Sequence, residues 1–563
     1  MTKKANAALQ KANSKNLWSA LKSGAANFMP LSPVVFLPRA AEIYPDRVAV
    51  IHGATRYTYA QFHERARRLA SALAKKGVKA GDVVSAMLPN VPAMLEAHYG
   101  VPMLGAVLNT INTRLDADTV AYILEHGEAK VLIVDRVFAA VVGPALKKLK
   151  KKPFVVDVDD PLYTGPGERL GRIEYEAFLK SGKPDFAWSP PEDESAPIAL
   201  NYTSGTTGRP KGVVYSHRST VIHTLMANQP DHWGLKAGDS VLPATPMFHA
   251  NCWGVPYACV MMGIKMIFPG PHLHPEDLLD LFAAERPTYA LGVPTIWMTM
   301  LQLLDAQPAR FKLPPDMRML VGGAPVPEAM IRAYKRHGAQ ICHGWGMTEM
   351  SPLGTVSYIK PELQHLGEEE RIDRYAMAGV PAPIMDIRLI ADDGAECAWD
   401  GKSVGEVQVR GPFITGSYHG VPNEPEKFTA DGWLRTGDVA SMDAHGYLRI
   451  TDRTKDLIKS GGEWISSVDM ENLLMAHPAV LEAAVIAVPD AKWTERPLAC
   501  VVWKPGKSAT PDELRAHLAV RFIKWQLPDR FEVLGAIPRT STGKFWKVKL
   551  REMFRNQAVG RRR

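Results

Sequence analysis

The sequence predicts an α/β protein that ends in a separate α+β domain. From about residue 46, short apolar runs alternate with stretches of helical length, which is typical of parallel sheets covered by helices. Between residues 375 and 450, short strand-like runs with glycine turns replace this alternation and indicate a small β-rich unit. From residue 452 the chain returns to mixed helix and strand for about 110 residues, which is enough for an independent domain.

Local signals predict the individual elements of the first part. The runs "VVSAML", "GAVLNTI" and "KVLIVD" predict buried strands, and "VPAMLEAHYGVPML" predicts a helix. "DADTVAYILEHG" predicts a helix that begins after an Asp cap and ends at a glycine. "GEVQVRGPFITGSYHG" and "AHGYLRI" predict short strands of the β-rich unit.

The last part has its own signals. "SVDMENLLMAH" predicts a helix, and "VLEAAVIAV", "PLACVVW" and "RFEVLGAI" predict strands. A further helix begins at Thr510, whose hydroxyl and the Glu513 carboxylate form a capping box. Leu514, Leu518 and Phe522, spaced four apart, predict the buried face of this helix.

Composition excludes several classes of protein. The 563 residues are too many for one hydrophobic core. No apolar run reaches the ~18 residues of a membrane-spanning helix, and the N-terminus lacks the apolar segment of a secretory signal. Scattered cysteines without a CxxC argue against disulfides and zinc and for a reducing compartment, so we expect a cytoplasmic protein. The cysteines are Cys252, Cys259, Cys342, Cys397 and Cys500.

The net charge of +8 arises partly from basic ends. No helix–turn–helix, zinc finger or RNP-like motif accompanies it, so we expect no nucleic-acid partner. Residues 1–27 predict a basic, flexible tail, with a peripheral membrane contact through lysines around apolar residues as the alternative.

One glycine-rich segment, "YTSGTTGRPKG" at residues 202–212, predicts a phosphate-binding loop. Its glycines let the backbone approach a phosphate, its hydroxyls donate hydrogen bonds, and its lysine supplies a counter-charge. It is no Walker A loop, because Pro210 and Gly212 flank the lysine, and a flexible linker is the alternative. The candidate residues are Thr203, Ser204, Gly205, Thr206, Thr207, Gly208 and Lys211.

This loop resembles the signature loop of the acyl-activating, adenylate-forming enzymes, a superfamily of acyl-CoA synthetases, luciferases and adenylation domains. The resemblance covers roughly residues 30 to 552. Five further motifs of the superfamily follow in order: "GGAP" (322–325), "HGWGMTE" (343–349), "WLRTGD" (433–438), "DRTKDLIKSGGEWIS" (452–466) and "IPRTSTGKFWK" (537–547). The segment "PMFHANCWGVPYA" resembles fatty-acid CoA ligases in particular.

The resemblance implies a fold with two parts. A large N-terminal domain over residues 28–451 would hold two helix-covered sheets and a small β-barrel-like subdomain. A hinge at residues 452–457 would join it to a small mobile α+β lid domain over residues 458–563, which carries a catalytic lysine. The resemblance also implies a homodimer.

The resemblance assigns catalytic roles to single residues. Lys544 would bridge the acid and the α-phosphate of ATP, and Thr348 would bind that phosphate. Glu349 and the Thr203 hydroxyl would hold Mg²⁺. Asp438 would bind the ribose hydroxyls.

The resemblance also assigns residues that would bind the nucleotide. Arg453 would add a charge-assisted contact to the nucleotide. Trp345 stands where the family has a tyrosine, so stacking on adenine is kept and the hydroxyl's hydrogen bond is lost. The other implied nucleotide positions are Gly323, Ala324, Pro325, Gly344, Gly346 and Met347.

A second set of residues would serve the thiol and the acid. Lys455 matches the hinge, and the pair Gly461 and Gly462 would approach the pantetheine arm of CoA. His249, Trp253 and Val293 would line or gate the acyl pocket, with a core position as the alternative for His249 and Trp253.

These expectations combine into one reaction. The enzyme would join a hydrophobic acid, a medium- or long-chain fatty acid, to CoA through an acyl-adenylate, with release of AMP and pyrophosphate. The alternatives are a CoA ligase for a short, thioether or aryl acid, and an enzyme that passes its acyl group to a carrier protein. A luciferase-like oxygenase and a non-enzymatic binding protein are further alternatives.

Overall fold

The computed structural model describes residues 26–203, 209–421, 424–453, 456–460, 463–490, 492–540 and 543–554. In these ranges, helices cover two large sheets in the N-terminal part, and a four-stranded antiparallel sheet follows before the C-terminal part. The predicted mixed α/β class, with a large first domain and a smaller last one, is confirmed. No helix of the described ranges is long and apolar enough to cross a membrane.

The first two sheets are parallel at their centres and antiparallel at one or both edges. In spatial order, the nine-stranded sheet holds Val380–Pro381, Leu353–Val356, Ala339–Gly346, Met317–Gly322, Tyr289–Gly292, Ser240–Pro243, Lys265–Ile267, Val48–His52 and Thr55–Thr58. The seven-stranded sheet holds Ile173–Glu174, Phe154–Val158, Val131–Asp135, Val83–Met87, Val107–Thr110, Pro197–Tyr202 and Gly212–Ser216.

The two smaller sheets belong to the β-rich unit and to the C-terminal part. The first holds Asp386–Ile390, Gly405–Arg410, Leu434–Met442 and Leu448–Arg453. The second holds Glu463–Ile465, Ile458–Ser460, Thr494–Trp503 and Val480–Asp490, with Arg530–Val533 added alongside Thr494–Trp503.

Helices cover the faces of these sheets. The α-helices are Phe36–Ile43, Tyr59–Lys75, Pro92–Gly100, Ala117–His126, Ala139–Lys148, Tyr175–Ser181, His217–Ala227, Val255–Met262, Pro275–Glu285, Pro294–Ala306, Glu328–Arg336, Glu368–Ala376, Ser467–Ala476, Pro511–Leu518 and Lys547–Phe554. Short 3₁₀ helices are Pro33–Val35, Pro102–Leu104, Arg136–Phe138, Cys252–Gly254, Thr348–Met350, Pro361–Leu363 and Lys524–Gln526.

Two of the predicted helices differ in their bounds. The helix predicted over "VPAMLEAHYGVPML" stops at Gly100, because Pro102 lacks an N–H and a 3₁₀ turn takes over. The helix capped by Thr510 and Glu513 has the predicted capping box but ends at Leu518, so Phe522 lies beyond it. The Phe522 N–H still bonds to the Leu518 carbonyl, and the ring packs in the same core.

Strands of the two large sheets end at the sequence motifs. The strands Met317–Gly322 and Ala339–Gly346 are neighbours, with Gly322 opposite Gly344, and each leads into a motif. Pro197–Tyr202 ends where the glycine-rich loop begins. Carboxyl ends of parallel strands are the usual place for a ligand in such sheets.

Candidate active site

A cavity of about 370 Å³ lies beside the ends of these strands, between the N-terminal part and a loop of the C-terminal part. Most of the described candidates from the sequence line it together. Its lining includes Thr203, Lys211, His249, Trp253, Gly323, Gly344, Trp345, Gly346, Met347, Thr348, Glu349, Asp438, Arg453 and Lys544. Ala324 and Pro325 line an adjoining cavity, which also reaches Trp345, Asp438 and Lys544.

Trp345 and Asp438 are joined directly. The indole Nε1–H donates a hydrogen bond to Asp438 Oδ2 at 2.8 Å, and Arg453 Nε lies 3.4 Å from Asp438 Oδ1. The expected loss of a hydrogen bond at Trp345 is thereby offset, because the indole has a donor of its own. The pairing holds the carboxylate at the cavity wall, where its orientation is fixed from two sides.

Thr348 and Glu349 form a short 3₁₀ turn after the strand Ala339–Gly346. Glu349 is buried, and its Oε1 accepts a hydrogen bond of 2.6 Å from the Tyr418 hydroxyl. The Thr348 carbonyl accepts one of 2.7 Å from the Tyr215 hydroxyl. Two tyrosines on other segments therefore fix the backbone and the carboxylate of this turn.

The oxygen atoms at this end of the cavity suit a hard cation. The Thr203 hydroxyl, the Thr348 hydroxyl and the Glu349 carboxylate all belong to residues of the lining. Among the described residues, no three or more His, Cys, Asp or Glu are grouped so as to hold a metal. This sparse oxygen set fits Mg²⁺, which usually binds one or two carboxylates together with substrate phosphates.

Glycines allow the motif strands to meet closely. A Cβ on Gly346 would lie 1.9 Å from the Pro352 carbonyl oxygen, and one on Gly322 would lie 2.5 Å from that of Gly344. Both distances are shorter than any real Cβ contact to backbone. Only glycine fits at these two points, which explains why the motifs carry it.

The two ends of the glycine-rich loop are tied together. The Thr203 N–H donates to the Lys211 carbonyl at 2.9 Å, and the Lys211 N–H donates to Thr203 Oγ1 at 3.2 Å. The Lys211 ammonium pairs with Glu424 and lies 4.9 Å from the centre of the Tyr418 ring. Residues Ser204, Gly205, Thr206, Thr207 and Gly208 lie outside the described residues.

Lys544 comes from the C-terminal part and reaches the cavity of the N-terminal part. Its Cε lies 3.9 Å from the position of a Cβ on Gly323, and a Cβ on Gly543 would lie 3.7 Å from Val293. Burial, together with the nearby Lys544 ammonium, lowers the pKa of His249 to about 4. His249 is therefore neutral at physiological pH, which leaves the lysine as the cation beside it.

Of the acyl-pocket candidates, His249 and Trp253 line the cavity, and Val293 lies beside Gly323, which also lines it. Trp253 is 7% exposed, and its ring lies 3.5 Å from the position of a Cβ on Gly322. The backbone around it is unusual, because all residues from Ala250 to Gly254 have positive φ. Such a left-handed turn is strained for residues other than glycine and is typical of functional segments. Trp253 also belongs to the main hydrophobic core, so the same side chain lines the cavity and packs in the core.

Behind Lys544, a buried ionic cluster joins the C-terminal helix to the end of the strand Leu448–Arg453. Lys547 Nζ lies 2.7 Å from Glu471 Oε1 and also contacts Ser467, which in turn donates to Asp452. Burial raises the pKa of Glu471 to about 7, and the Lys547 ammonium opposes that rise. The hinge candidate Lys455 and the candidates Gly461 and Gly462 are outside the described residues.

The AMP-binding enzyme family matches residues 37–419, and the family's C-terminal domain matches residues 469–544. The chain belongs to the AMP-binding enzyme family. Both matches include parts of the cavity described above.

Three known proteins are similar to this AMP-binding enzyme over most of its length. A long-chain-fatty-acid–CoA ligase of Thermus thermophilus is 44% identical over 93% of this chain and 96% of its own. A 3-methylmercaptopropionyl-CoA ligase of Ruegeria pomeroyi is 40% identical over 95% of this chain and 100% of its own. The crystal structure of the anthranilate CoA ligase AuaEII with anthranoyl-AMP has a TM-score of 0.83 and 25% identity, covering 94% and 99%.

Family and relatives together establish the general activity: the protein is an AMP-forming acid–CoA ligase. ATP and CoA are accordingly its co-substrates.

Some contacts of this AMP-binding enzyme escape sequence reasoning. Tyr418, which donates to Glu349, lies in the run "GEVQVRGPFITGSYHG", where the sequence predicts short strands with glycine turns. Glu424, which pairs with Lys211, lies where the sequence predicts no element. Neither residue has a local signal that indicates its partner.

Proposed function

We propose that the protein joins a medium- or long-chain fatty acid to CoA. The observation that carries this proposal is the position of Lys544, which reaches from the C-terminal part into the cavity lined by Trp345, Asp438 and Glu349. The 44% identity to the Thermus ligase supports the fatty acid. Apolar residues of the lining, including Trp253, support it as well.

In the first half-reaction, a carboxylate oxygen of the acid attacks the α-phosphorus of ATP and pyrophosphate leaves. The Lys544 ammonium would lie between the two anions and stabilise the charge that develops in the transition state. Trp345 would stack on adenine, with Asp438 and Arg453 on the ribose side. The Thr348 hydroxyl and Lys211 would contact the phosphates, together with residues 204–208.

Glu349 and Thr203 would hold Mg²⁺, which when bound neutralises phosphate charge. The adenine side of the site would be formed by two motif segments that contain glycine, Gly323 to Pro325 and Gly344 to Met347. His249, Trp253 and Val293 would form the acyl side.

In the second half-reaction, the CoA thiolate attacks the acyl carbon and AMP leaves. Lys544 fills space beside the reacting atoms, so we propose that the C-terminal part turns away before the thiol enters. The turn would occur at residues 452–457, with Lys455 at its centre, between domains of residues 28–451 and 458–563. Gly461 and Gly462 would then approach the pantetheine arm.

A second candidate substrate is a short thioether acid. The Ruegeria relative, named for 3-methylmercaptopropionate, is 40% identical over its whole length, which is only slightly less than the fatty-acid relative. A homodimer, a membrane contact through residues 1–27 and a cytoplasmic location remain predictions of the sequence.

The test is acyl-CoA formation with ATP, Mg²⁺ and CoA across straight-chain acids from acetate to palmitate, with 3-methylmercaptopropionate and benzoate included. We expect the highest kcat/KM on medium or long chains. Lys544→Ala should lower adenylation by about 10²- to 10³-fold and leave thioester formation from synthetic acyl-AMP intact. Lys549→Ala, an exposed lysine on the next helix, is the matched control.

Two results would contradict the proposal. If kcat/KM is highest on 3-methylmercaptopropionate, the substrate is a thioether acid and not a fatty acid. Equal loss of both half-reactions in Lys544→Ala would remove the lysine from its assigned role.

A further inference from the structure

Residues 415–419 of the β-rich unit contact two parts of the nucleotide cavity, the turn that carries Glu349 and the strand that begins at Gly212. The backbone N–H of Thr415 donates to the Glu349 carbonyl at 2.8 Å, and that of His419 donates to the Gly212 carbonyl at 2.7 Å. The segment thus bridges the Glu349 turn and the strand that follows the glycine-rich loop. Between these two anchors lies Tyr418.

Tyr418 is almost completely buried, and its hydroxyl has a defined partner. The residue is 3% exposed, and its ring packs against Phe428 with centroids 6.1 Å apart. The hydroxyl donates to Glu349 Oε1 at 2.6 Å. Because a carboxylate oxygen only accepts, the phenol is the donor in this hydrogen bond.

The ring of the same tyrosine supports the cation of the loop. Lys211 Nζ lies 4.9 Å from the ring centre and also pairs with Glu424. A ring face attracts an ammonium group, and the attraction is stronger where solvent is partly excluded. One side chain therefore fixes a carboxylate through its hydroxyl and a lysine through its ring.

A carboxylate that binds a metal needs a fixed orientation, because the free oxygen must point at the ion. The hydrogen bond from Tyr418 occupies Oε1 and restricts rotation of the Glu349 group. Partners of this kind, one shell beyond the ligand, typically change metal affinity by about 10- to 100-fold when they are removed.

We propose that Tyr418 is a positioning residue that orients Glu349 toward the metal of the bound Mg·ATP and keeps Lys211 beside the same phosphates. The inference rests on the proposed role of Glu349 as a metal ligand. Tyr418 itself touches neither the acid nor the reacting atoms in this arrangement, so it acts on the reaction only through its two neighbours.

The test is metal binding by Tyr418→Phe, which keeps the ring and removes the hydroxyl. The full-length protein is titrated with Mn²⁺ in the presence of α,β-methylene-ATP, which cannot transfer its adenylyl group to the acid, and free Mn²⁺ is measured by electron paramagnetic resonance. We expect the Mn²⁺ dissociation constant to rise about tenfold. The KM for the acid should stay unchanged, and excess Mg²⁺ should restore part of the adenylation rate.

The matched control is Tyr447→Phe, which removes another buried hydroxyl, donated to the Tyr358 carbonyl outside the cavity. A thermal melt of each variant establishes folding. If Tyr418→Phe does not fold, Tyr418→Trp, which keeps a large ring and offers an N–H, takes its place in the same titration. A Mn²⁺ dissociation constant within twofold of the parent would overturn the proposal.

A double-mutant cycle separates positioning from general support of the fold. Since the hydroxyl acts through Glu349, Tyr418→Phe should change Mn²⁺ binding little when Glu349→Gln is already present. Additive effects would overturn the positioning role. Unchanged Mn²⁺ binding in Glu349→Gln alone would instead refute the metal assignment in the proposed function, so the two failures are distinguishable.

Discussion

Replacing Trp345 by phenylalanine tests how the nucleotide site is held. The substitution keeps an aromatic face for adenine but removes the Nε1–H that donates to Asp438 at 2.8 Å. Without this donor, Asp438 keeps only the Arg453 contact at 3.4 Å and is less firmly oriented toward the ribose. We therefore expect weaker ATP binding with little change in kcat at saturating ATP.

The magnitude follows from the kind of bond that is lost. A hydrogen bond to a charged group contributes about 1.5–3 kcal/mol, which corresponds to about 10- to 150-fold in binding. The lower end applies, because Arg453 still orients the carboxylate from the other side. The ATP KM of Trp345→Phe should accordingly rise about tenfold.

The assay is ATP-dependent pyrophosphate release at saturating acid and CoA, with AMP binding measured by calorimetry. Trp399→Phe, a tryptophan that is 45% exposed and outside both cavities, is the control. An ATP KM within twofold of the parent would refute the view that the indole N–H anchors Asp438. A large fall in kcat with unchanged KM would refute it as well.

Three further predictions concern stability. Burial lowers the pKa of His98 to about 4 and that of His223 to about 3, so both imidazoles are neutral in the folded protein at pH 7. The unfolded chain takes up protons on these histidines below about pH 6.5, so the free energy of unfolding is highest above that pH and falls as the pH approaches the folded-state values. The urea midpoint should fall between pH 7.5 and 5, and a midpoint independent of pH would contradict this. Trp297→Ala should lower the free energy of unfolding by about 3–5 kcal/mol, because the ring is fully buried, and an unchanged midpoint would show that the site repacks. Gly346→Ala should lower both the melting temperature and ATP binding, since its Cβ would lie 1.9 Å from backbone; parent-like values of both would show that the strands can separate at no cost.

Local patterns predicted much of the fold and the residue types of the site. Buried strands such as Val131–Asp135 are continuous apolar runs, and the helix Ala117–His126 has its cap at Asp116 and its end at Gly127, as expected. The glycine-rich loop could be proposed as a phosphate-binding segment because close backbone approach requires glycine and phosphate charge favours a lysine, whereas the other site motifs came from the resemblance to a family. These requirements act within a few residues of each other along the chain.

Contacts between distant segments could not be predicted in this way. Tyr418 and Glu349 are 69 residues apart, Trp345 and Asp438 are 93, and Lys211 and Glu424 are 213. No local pattern states which distant carboxylate a side chain will meet. The left-handed turn at Ala250 to Gly254 was hidden for another reason: four of its five residues carry a Cβ, and such residues rarely adopt positive φ.

The division of the cavity between separate segments has an evolutionary consequence. The Trp253 side of the cavity holds His249 and Trp253 and lies near Val293, whereas Lys544 and Asp438 come from other segments. Substitutions on the Trp253 side can therefore alter which acid fits and leave the groups that handle ATP in place. Similar proteins are named for a long-chain fatty acid, a methylthio acid and anthranilate, a diversity that such independent variation would allow.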